Sequence, residues 1–322
     1  MEKKYVIGVD VGGQSAKCGV VDVEGNVVAQ EILVSNETTE AAVFIAELAE
    51  TLKKLIAKAG VEGKIAGIGV GAPNANYYTG NIEFAPNLTW TLAGSKIIPF
   101  AKMLSEAMGG LKVTLTNDAN AAALGEMKYG VAKLMKIKDF IMITLGTGVG
   151  SGIVINGQLL YGHDGFAGEL GHTIVVRENG RQCGCGRKGC LEAYCSAIGV
   201  ARTAKEWLEE SEEPSLLRSK SDITSKDVYD AAKDGDALAK RVFDYTGRLL
   251  GTQLADFIAF SAPEAIILFG GLARAKEFLT EPIEKAMNDN VLPLWKNKVK
   301  LLYSTLPASD AAILGASALG WE

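Results

Sequence analysis

One histidine and three cysteines stand close together in the second half of the chain: His172 in AGELGH, then Cys183, Cys185 and Cys190 in CGCGRKGC. An imidazole and three thiolates make a complete tetrahedral shell for Zn2+. Gly184, Gly186 and Gly189 lie among them and let the backbone turn tightly around an ion. Ordinary reduced thiols beside a surface histidine are the plainer alternative, and the density of ligands favours the metal. Four protein ligands leave no position for water, so the zinc is expected to be structural. Cys18, within a strand pattern, and Cys195, entering a helix, read as packing residues.

Two glycine-rich turns form a second kind of chemistry-bearing feature. A tight turn between strands lets backbone N–H groups approach phosphate oxygens that a Cβ would obstruct. The first turn lies in DVGGQSAK, with Gly12 and Gly13 at its tip, Asp10 placed to orient Mg2+ through water and Lys17 to bring positive charge near phosphates. The second is GTGVG, where Thr147 precedes Gly148 and adds a hydroxyl donor. Taken singly, each cluster reads as a hairpin turn. Two at matching places point to a nucleotide. No G-x-x-x-x-G-K-[ST] loop and no G-x-G-x-x-G opening a helix occur, which disfavours P-loop and dinucleotide-binding architectures.

Phosphoryl transfer to a sugar hydroxyl requires a base near the attacking oxygen, and Asp118 is the candidate. The local pattern NDANAAALGE also makes Asn117 or Asp118 an ordinary helix N-cap, so the functional reading rests on the neighbouring motifs. Recognition of several sugar hydroxyls calls for planar amides and carboxylates, and Asn87, Asn117, Glu169 and Glu192 are suitable donors and acceptors. Each alone reads equally as a solvated loop residue.

Several elements must position these groups. Residues 5–34 read as three strands in an antiparallel meander, and residues 39–59 space their apolar side chains as a helix stopped by Gly60. A strand KIAGIGVG, a helix near residues 96–108, a strand KVTLT and an alanine-rich helix from Asn117 follow. The pattern then restarts in FIMITLGTGVGSGIVINGQLLYG as strand, glycine turn, strand, Asn156-Gly157 turn and strand. Later come a polar stretch at 209–225, expected to be a mobile surface connection, the strand EAIILF, Gly270-Gly271, the strand KLLY and a final helix from Asp310. Helix and strand alternate, so the class is α/β, in two halves of similar build.

The bulk numbers agree with a soluble enzyme. The chain has 322 residues, 48% of them hydrophobic, and a net charge of −5, which disfavours a large nucleic-acid footprint. There is no secretory-signal pattern and no apolar run of membrane length, so a reducing cytoplasmic location is expected, with no membrane partner.

Together DVGGQSAK, LGTGVGSG, AGELGH, CGCGRKGCLE and the late FGG resemble the ROK family of sugar kinases and sugar-responsive repressors, from about Val6 to the final helix. The resemblance implies an actin-like, ribonuclease H-like two-lobed ATPase fold closing over ATP and a hexose. Residues 1–118 with 303–322 would form the small lobe, and 119–302 the large one. It implies Asp118 as the general base and Asn87, Asn117, Glu169, His172 and Glu192 as sugar contacts, with His172 using its second ring nitrogen. Gly12, Gly13 and Lys17 resemble the first phosphate loop, Thr147 and Gly148 the second, and Gly270-Gly271 the turn beside the nucleotide. A homodimer or homotetramer is implied as well.

Two positions depart from the family pattern: Gln14 replaces a hydroxyl residue after the glycine pair, and Asn74 in GAPN replaces glycine. GAPN followed by APNL resembles glucokinase-like members, so the expected activity is ATP-dependent phosphorylation of a hexose, glucose at its 6-OH first. N-acetylglucosamine, N-acetylmannosamine, fructose and allose remain as other acceptors. A retired sugar sensor, a DNA-binding repressor and a filament-forming ATPase are the rivals. Only nine residues precede Asp10, short for the helix-turn-helix a repressor needs, and Asp10, Lys17 and Asp118 are those a sensor has no reason to keep.

Overall fold

The computed structural model describes residues 3–13, 15–34, 39–307 and 309–322. Gln14 therefore lies outside the described residues. Strands β1 (Tyr5–Val11), β2 (Ser15–Asp22) and β3 (Val27–Val34) form the antiparallel meander. Helix α1 (Ala41–Ala59) buries Phe44, Ile45, Leu48, Leu52 and Leu55 along one face. After β4 (Ile65–Gly71) a small sheet is made by β5 (Ala75–Asn76), β6 (Asn81–Glu83) and β7 (Ile97–Ile98). The helix expected from residue 96 begins only at α2 (Phe100–Ala107), because Ile97 and Ile98 pair with β6 and Pro99 supplies a natural start. Then follow β8 (Val113–Thr116), α3 (Asp118–Lys128) and α4 (Val131–Met135).

The second half comprises β9 (Phe140–Leu145), β10 (Val149–Ile155), β11 (Gln158–Leu159), α5 (Glu192–Cys195), α6 (Ala197–Glu210), α7 (Ser225–Lys233), α8 (Ala237–Ser261), β12 (Ala265–Phe269), α9 (Lys276–Asn290), β13 (Lys300–Tyr303) and α10 (Ala311–Leu319). Asn156 and Gly157 both have positive φ, 53° and 74°, as a tight two-residue hairpin demands. The first sheet has the order β3-β2-β1-β4-β8 and the second β11-β10-β9-β12-β13. The same plan is thus used twice, as the restart in the sequence suggests. In each sheet three strands run parallel: β1, β4 and β8, and β9, β12 and β13.

The chain packs as two compact units, Met1–Lys138 with Gly152–Gly168 and Ser304–Glu322, and Asp139–Ser151 with Glu169–Tyr303. Residues 119–138, placed by the sequence with the large lobe, cluster with the first unit. The reason is local: α3 lies against α10 at Gly125 and Gly315, so close that a Cβ on Gly125 would be 2.9 Å from the Gly315 Cα. Strand alternation puts Ile7 and Val9 in the cluster with Phe44 and Leu48 of α1, and Val6 with Ile313 and Leu314 of α10. At Gly69 a Cβ would lie 1.9 Å from the Ala316 carbonyl oxygen, which is why this strand position has no side chain.

The stretch expected to be mobile is instead tied down. Arg218 donates to the carbonyls of Leu208, Ser211 and Glu213, Asp236 accepts from Ser215 and Leu216, and Leu217 is buried. Among the described residues no helix is long and apolar enough to cross a membrane.

Candidate active site

The parallel strands of the first unit end side by side. Asp10 on β1 pairs with Gly71 on β4, and Gly71 with Thr116 on β8, so the first glycine turn and the start of α3 share one edge of the sheet. Open α/β sheets bind ligands at this carboxyl edge. Asp10 also sits opposite Lys17 across the β1–β2 hairpin. Gly12 N–H donates to the Ser15 carbonyl at 2.9 Å, and the Asn87 carbonyl oxygen lies 2.6 Å from where a Gly13 Cβ would be. Asn87 is itself exposed.

Asn117 caps α3, its Oδ1 accepting from Asn120 N–H at 2.7 Å, so the capping alternative holds for this residue. Asp118 occupies the first turn and accepts from the adjacent Ala119 N–H, at 2.8 Å. Asp118 is solvent-exposed by surface area although protein surrounds it densely. The surrounding protein raises its pKa by desolvation, with the backbone N–H groups opposing. Asp10 is pushed up to about 6, first by burial, then by the negative charge of Asp118, with Lys17 pulling the other way. A carboxyl whose ionisation is disfavoured by burial and by the neighbouring Asp118 charge, beside one lysine, forms a ready place for a cation-bound phosphate.

In the second unit, β9 ends in a turn closed by Gly146 N–H donating to the Gly148 carbonyl at 3.0 Å, with Thr147 exposed at its tip. Ala197, opening α6, donates to the Gly146 carbonyl at 2.9 Å. Gly270-Gly271 follows β12, the parallel neighbour of β9. Gly270 has φ 107° and lies against Leu145, a position no side chain could take. Glu192 supports the turn from beneath: Oε2 accepts from Val149 N–H at 3.0 Å and sits 2.4 Å from where a Gly148 Cβ would be. The sequence offered Glu192 only as a sugar contact; the structure places its carboxylate on the second glycine turn as well.

His172, Cys183, Cys185 and Cys190 bring one donor atom each within 4.8 Å of one another. A tetrahedral zinc with bonds of about 2.3 Å to sulfur spaces its ligands about 3.7 Å apart. The observed spacings are 3.7 Å for Cys185 Sγ to Cys190 Sγ and 3.8 Å for Cys183 Sγ to His172 Nδ1. Donor set and spacing both fit structural zinc. His172 turns Nδ1 to this cluster and leaves Nε2 3.9 Å from Glu169 Oε2, while Cys183 Sγ lies 3.4 Å from Glu192 Oε1. The cluster therefore touches the very residues expected to meet sugar.

Two supporting residues escaped the sequence reading. Arg181, at the head of the cysteine loop, donates to Glu206, to the Ala193 carbonyl and to Thr203 Oγ1, and its guanidinium stacks 4.5 Å from the Tyr194 ring centroid, tying the loop to α5 and α6. Glu126 on α3 is fully buried and accepts from Val131 N–H at 2.7 Å and from Ser304 Oγ. Its carboxyl is raised by burial, with those hydrogen bonds opposing. Nothing in an isolated arginine or glutamate announces such a role; only the fold brings the partners.

The ROK family model matches residues 6–322. A glucokinase from Halalkalibacterium halodurans is 36% identical over 100% of this chain and 95% of its own length. Among solved structures, a ROK family glucokinase from Streptomyces griseus, in complex with glucose and AMPPNP, is 32% identical, with a TM-score of 0.77 over 98% of each chain. A ROK family transcriptional regulator, a homologue of the E. coli MLC protein, has a TM-score of 0.86 at 26% identity, over 98% of this chain and 77% of the other.

Proposed function

The chain belongs to the ROK family, with its actin-like α/β ATPase fold, and from that premise we propose that it is a glucokinase, transferring the γ-phosphoryl of Mg·ATP to the 6-OH of glucose. The observation that carries the reading is the shared carboxyl edge of β1 and β8, where Asp10, Lys17 and Asp118 stand together. Asp118 takes the proton from the attacking hydroxyl; its raised pKa brings it closer to the working pH and makes it a better acceptor than a carboxylate at its ordinary pKa. The sugar O–P bond forms as the bond from the γ-phosphorus to the bridging oxygen breaks, and ADP leaves. Gly12, Gly13 and Lys17 hold phosphate oxygens, and Thr147, Gly148 and Gly270-Gly271 form the second phosphate and nucleotide contacts. Bound Mg2+ supplies charge neutralisation on the phosphates, with Asp10 as its orienting carboxylate through water.

Asn87, Asn117, Asp118, Glu169, His172 and Glu192 are the proposed sugar contacts. His172 and the three cysteines would hold zinc as a structural ion, and with Nδ1 given to the metal the His172 ring would be fixed and its Nε2–H left to donate to a hydroxyl. A cytoplasmic enzyme is proposed because the thiols must stay reduced to hold metal. A homodimer or homotetramer is proposed from the family, and light scattering coupled to gel filtration tests it.

The regulator's high TM-score favours a second reading, a sugar sensor without turnover. A coupled ADP-release assay with Mg·ATP separates the two, using glucose, mannose, fructose, N-acetylglucosamine, N-acetylmannosamine and allose against a blank. The kinase reading expects strong dependence on glucose. Sugar binding without any sugar-dependent ADP release would establish the sensor.

A further inference from the structure

Asn74 ends the turn after β4 and stands where the family pattern has glycine. Its φ is 51°, a left-handed conformation that glycine adopts freely and asparagine better than most other residues. The side chain makes use of the place: Nδ2 donates to the Glu83 carbonyl at 3.0 Å and to the Phe84 carbonyl at 3.3 Å, and Glu83 N–H donates back to the Asn74 carbonyl at 3.1 Å. Phe84 has φ 52°, uncommon for a bulky residue, and with its side chain 62% exposed, packing does little to hold it there. The Lys96 carbonyl accepts its N–H at 2.9 Å and Asn74 donates to its own carbonyl, so hydrogen bonds hold the strain. Three residues later the Asn87 carbonyl rests on Gly13. Within the first unit, hydrogen bonds thus link the turn after β4 to Phe84 through Asn74, and three residues along the chain the Asn87 carbonyl meets the first glycine turn.

We propose that Asn74 is a positioning residue for the sugar, holding residues 84–88 in the one strained form that sets Asn87 against the glycine turn. The inference rests on the sugar-kinase reading above. Glycine at this position keeps the backbone and removes both side-chain bonds. Aspartate keeps size and left-handed tolerance but aims an acceptor at two carbonyl oxygens, and so should be worse than glycine.

The test compares the wild type, Asn74→Gly and Asn74→Asp for kcat, for the KM of glucose and of ATP, for glucose binding without ATP, and for thermal midpoint. Loss of two solvent-exposed neutral hydrogen bonds should raise the KM and Kd of glucose about fivefold in the glycine variant, and further in the aspartate variant. The KM of ATP should stay within about twofold and the midpoint nearly constant. Unchanged glucose constants in both variants would overturn the inference. So would an equal rise for glucose and ATP with a lowered midpoint, which marks general loosening. A wild type that binds glucose but turns nothing over, with binding weakened by Asn74→Gly, would overturn the kinase reading and leave the role of Asn74 standing.

Discussion

The two glycine turns are built on one strand plan and are held by opposite means. Around the first, burial raises the cost of ionising both Asp10 and Asp118, the Asp118 charge adds to it at Asp10 beside Lys17, and the turn is pressed against the Asn87 carbonyl. Around the second, the Glu192 carboxylate accepts from the turn's own backbone, α6 donates to it, and Glu192 also touches the zinc-ligand cluster. The first region is electrostatically uncomfortable, which suits proton transfer and cation binding; the second is over-determined, which suits recognition. Substitutions in the first should therefore remove turnover, and substitutions in the second should remove affinity.

The largest expected effect follows from Asp118→Asn. Loss of the base should lower kcat about a thousandfold, while glucose affinity by calorimetry stays within about threefold. Equal losses in both would show that Asp118 acts through sugar binding alone and not as the base, and would collapse the contrast.

Cys185→Ser attacks the other side. Zinc content by elemental analysis should fall from stoichiometric to near zero, the thermal midpoint should drop, and the KM of glucose should rise by about one to two orders of magnitude, in the range seen when metal-site support is lost. Full zinc retention would remove Cys185 from the ligand set.

A smaller change is expected from Gly148→Ala, whose Cβ would arrive 2.4 Å from the Glu192 carboxylate. Displacing that carboxylate frees the Val149 amide and should raise the KM of ATP about tenfold, together with a rise for glucose of similar size, because one side chain serves both. A rise for ATP alone would confine Glu192 to the turn.

The mildest effect is in pH. Asp10 titrates at about 6 and is needed ionised, so kcat/KM of the free enzyme should rise with pH through about 6 and level off above it. The sign for stability is the reverse. A carboxyl raised above its unfolded value costs stability above about 6, and the cost fades as pH falls towards the ordinary aspartate value of 3.8. Asp10→Asn should accordingly raise the thermal midpoint at pH 7 to 8 and lose that advantage near pH 4. A midpoint difference independent of pH would refute the shifted titration.

Much of the fold was legible because its signals are local. The meander, the Asn156-Gly157 hairpin and the stop of α1 at Gly60 each follow from a few adjacent residues, and the repeated strand-turn-strand pattern announced the duplicated sheets. The His/Cys cluster was legible for a similar reason, since Cys183, Cys185 and Cys190 stand close in sequence and His172 follows the same strand-and-turn stretch. What stayed hidden depends on distant partners. Residues 96–99 carry helical spacing, but pairing with β6 overrides it. Arg181 and Glu126 acquire meaning only from Glu206 and Ser304, and Asn74 looked like a departure from pattern until its left-handed backbone explained both the usual glycine and the tolerated asparagine. The polar stretch before α7 looked mobile because Arg218's carbonyl partners cannot be read from composition.

The most direct test of the central claim is identification of the product formed from glucose and Mg·ATP, by phosphorus and proton NMR of the reaction mixture. The account predicts ADP and glucose 6-phosphate in equal amounts, both abolished in Asp118→Asn. Phosphate released without a sugar ester, or an ester at equal yield from the variant, would contradict it.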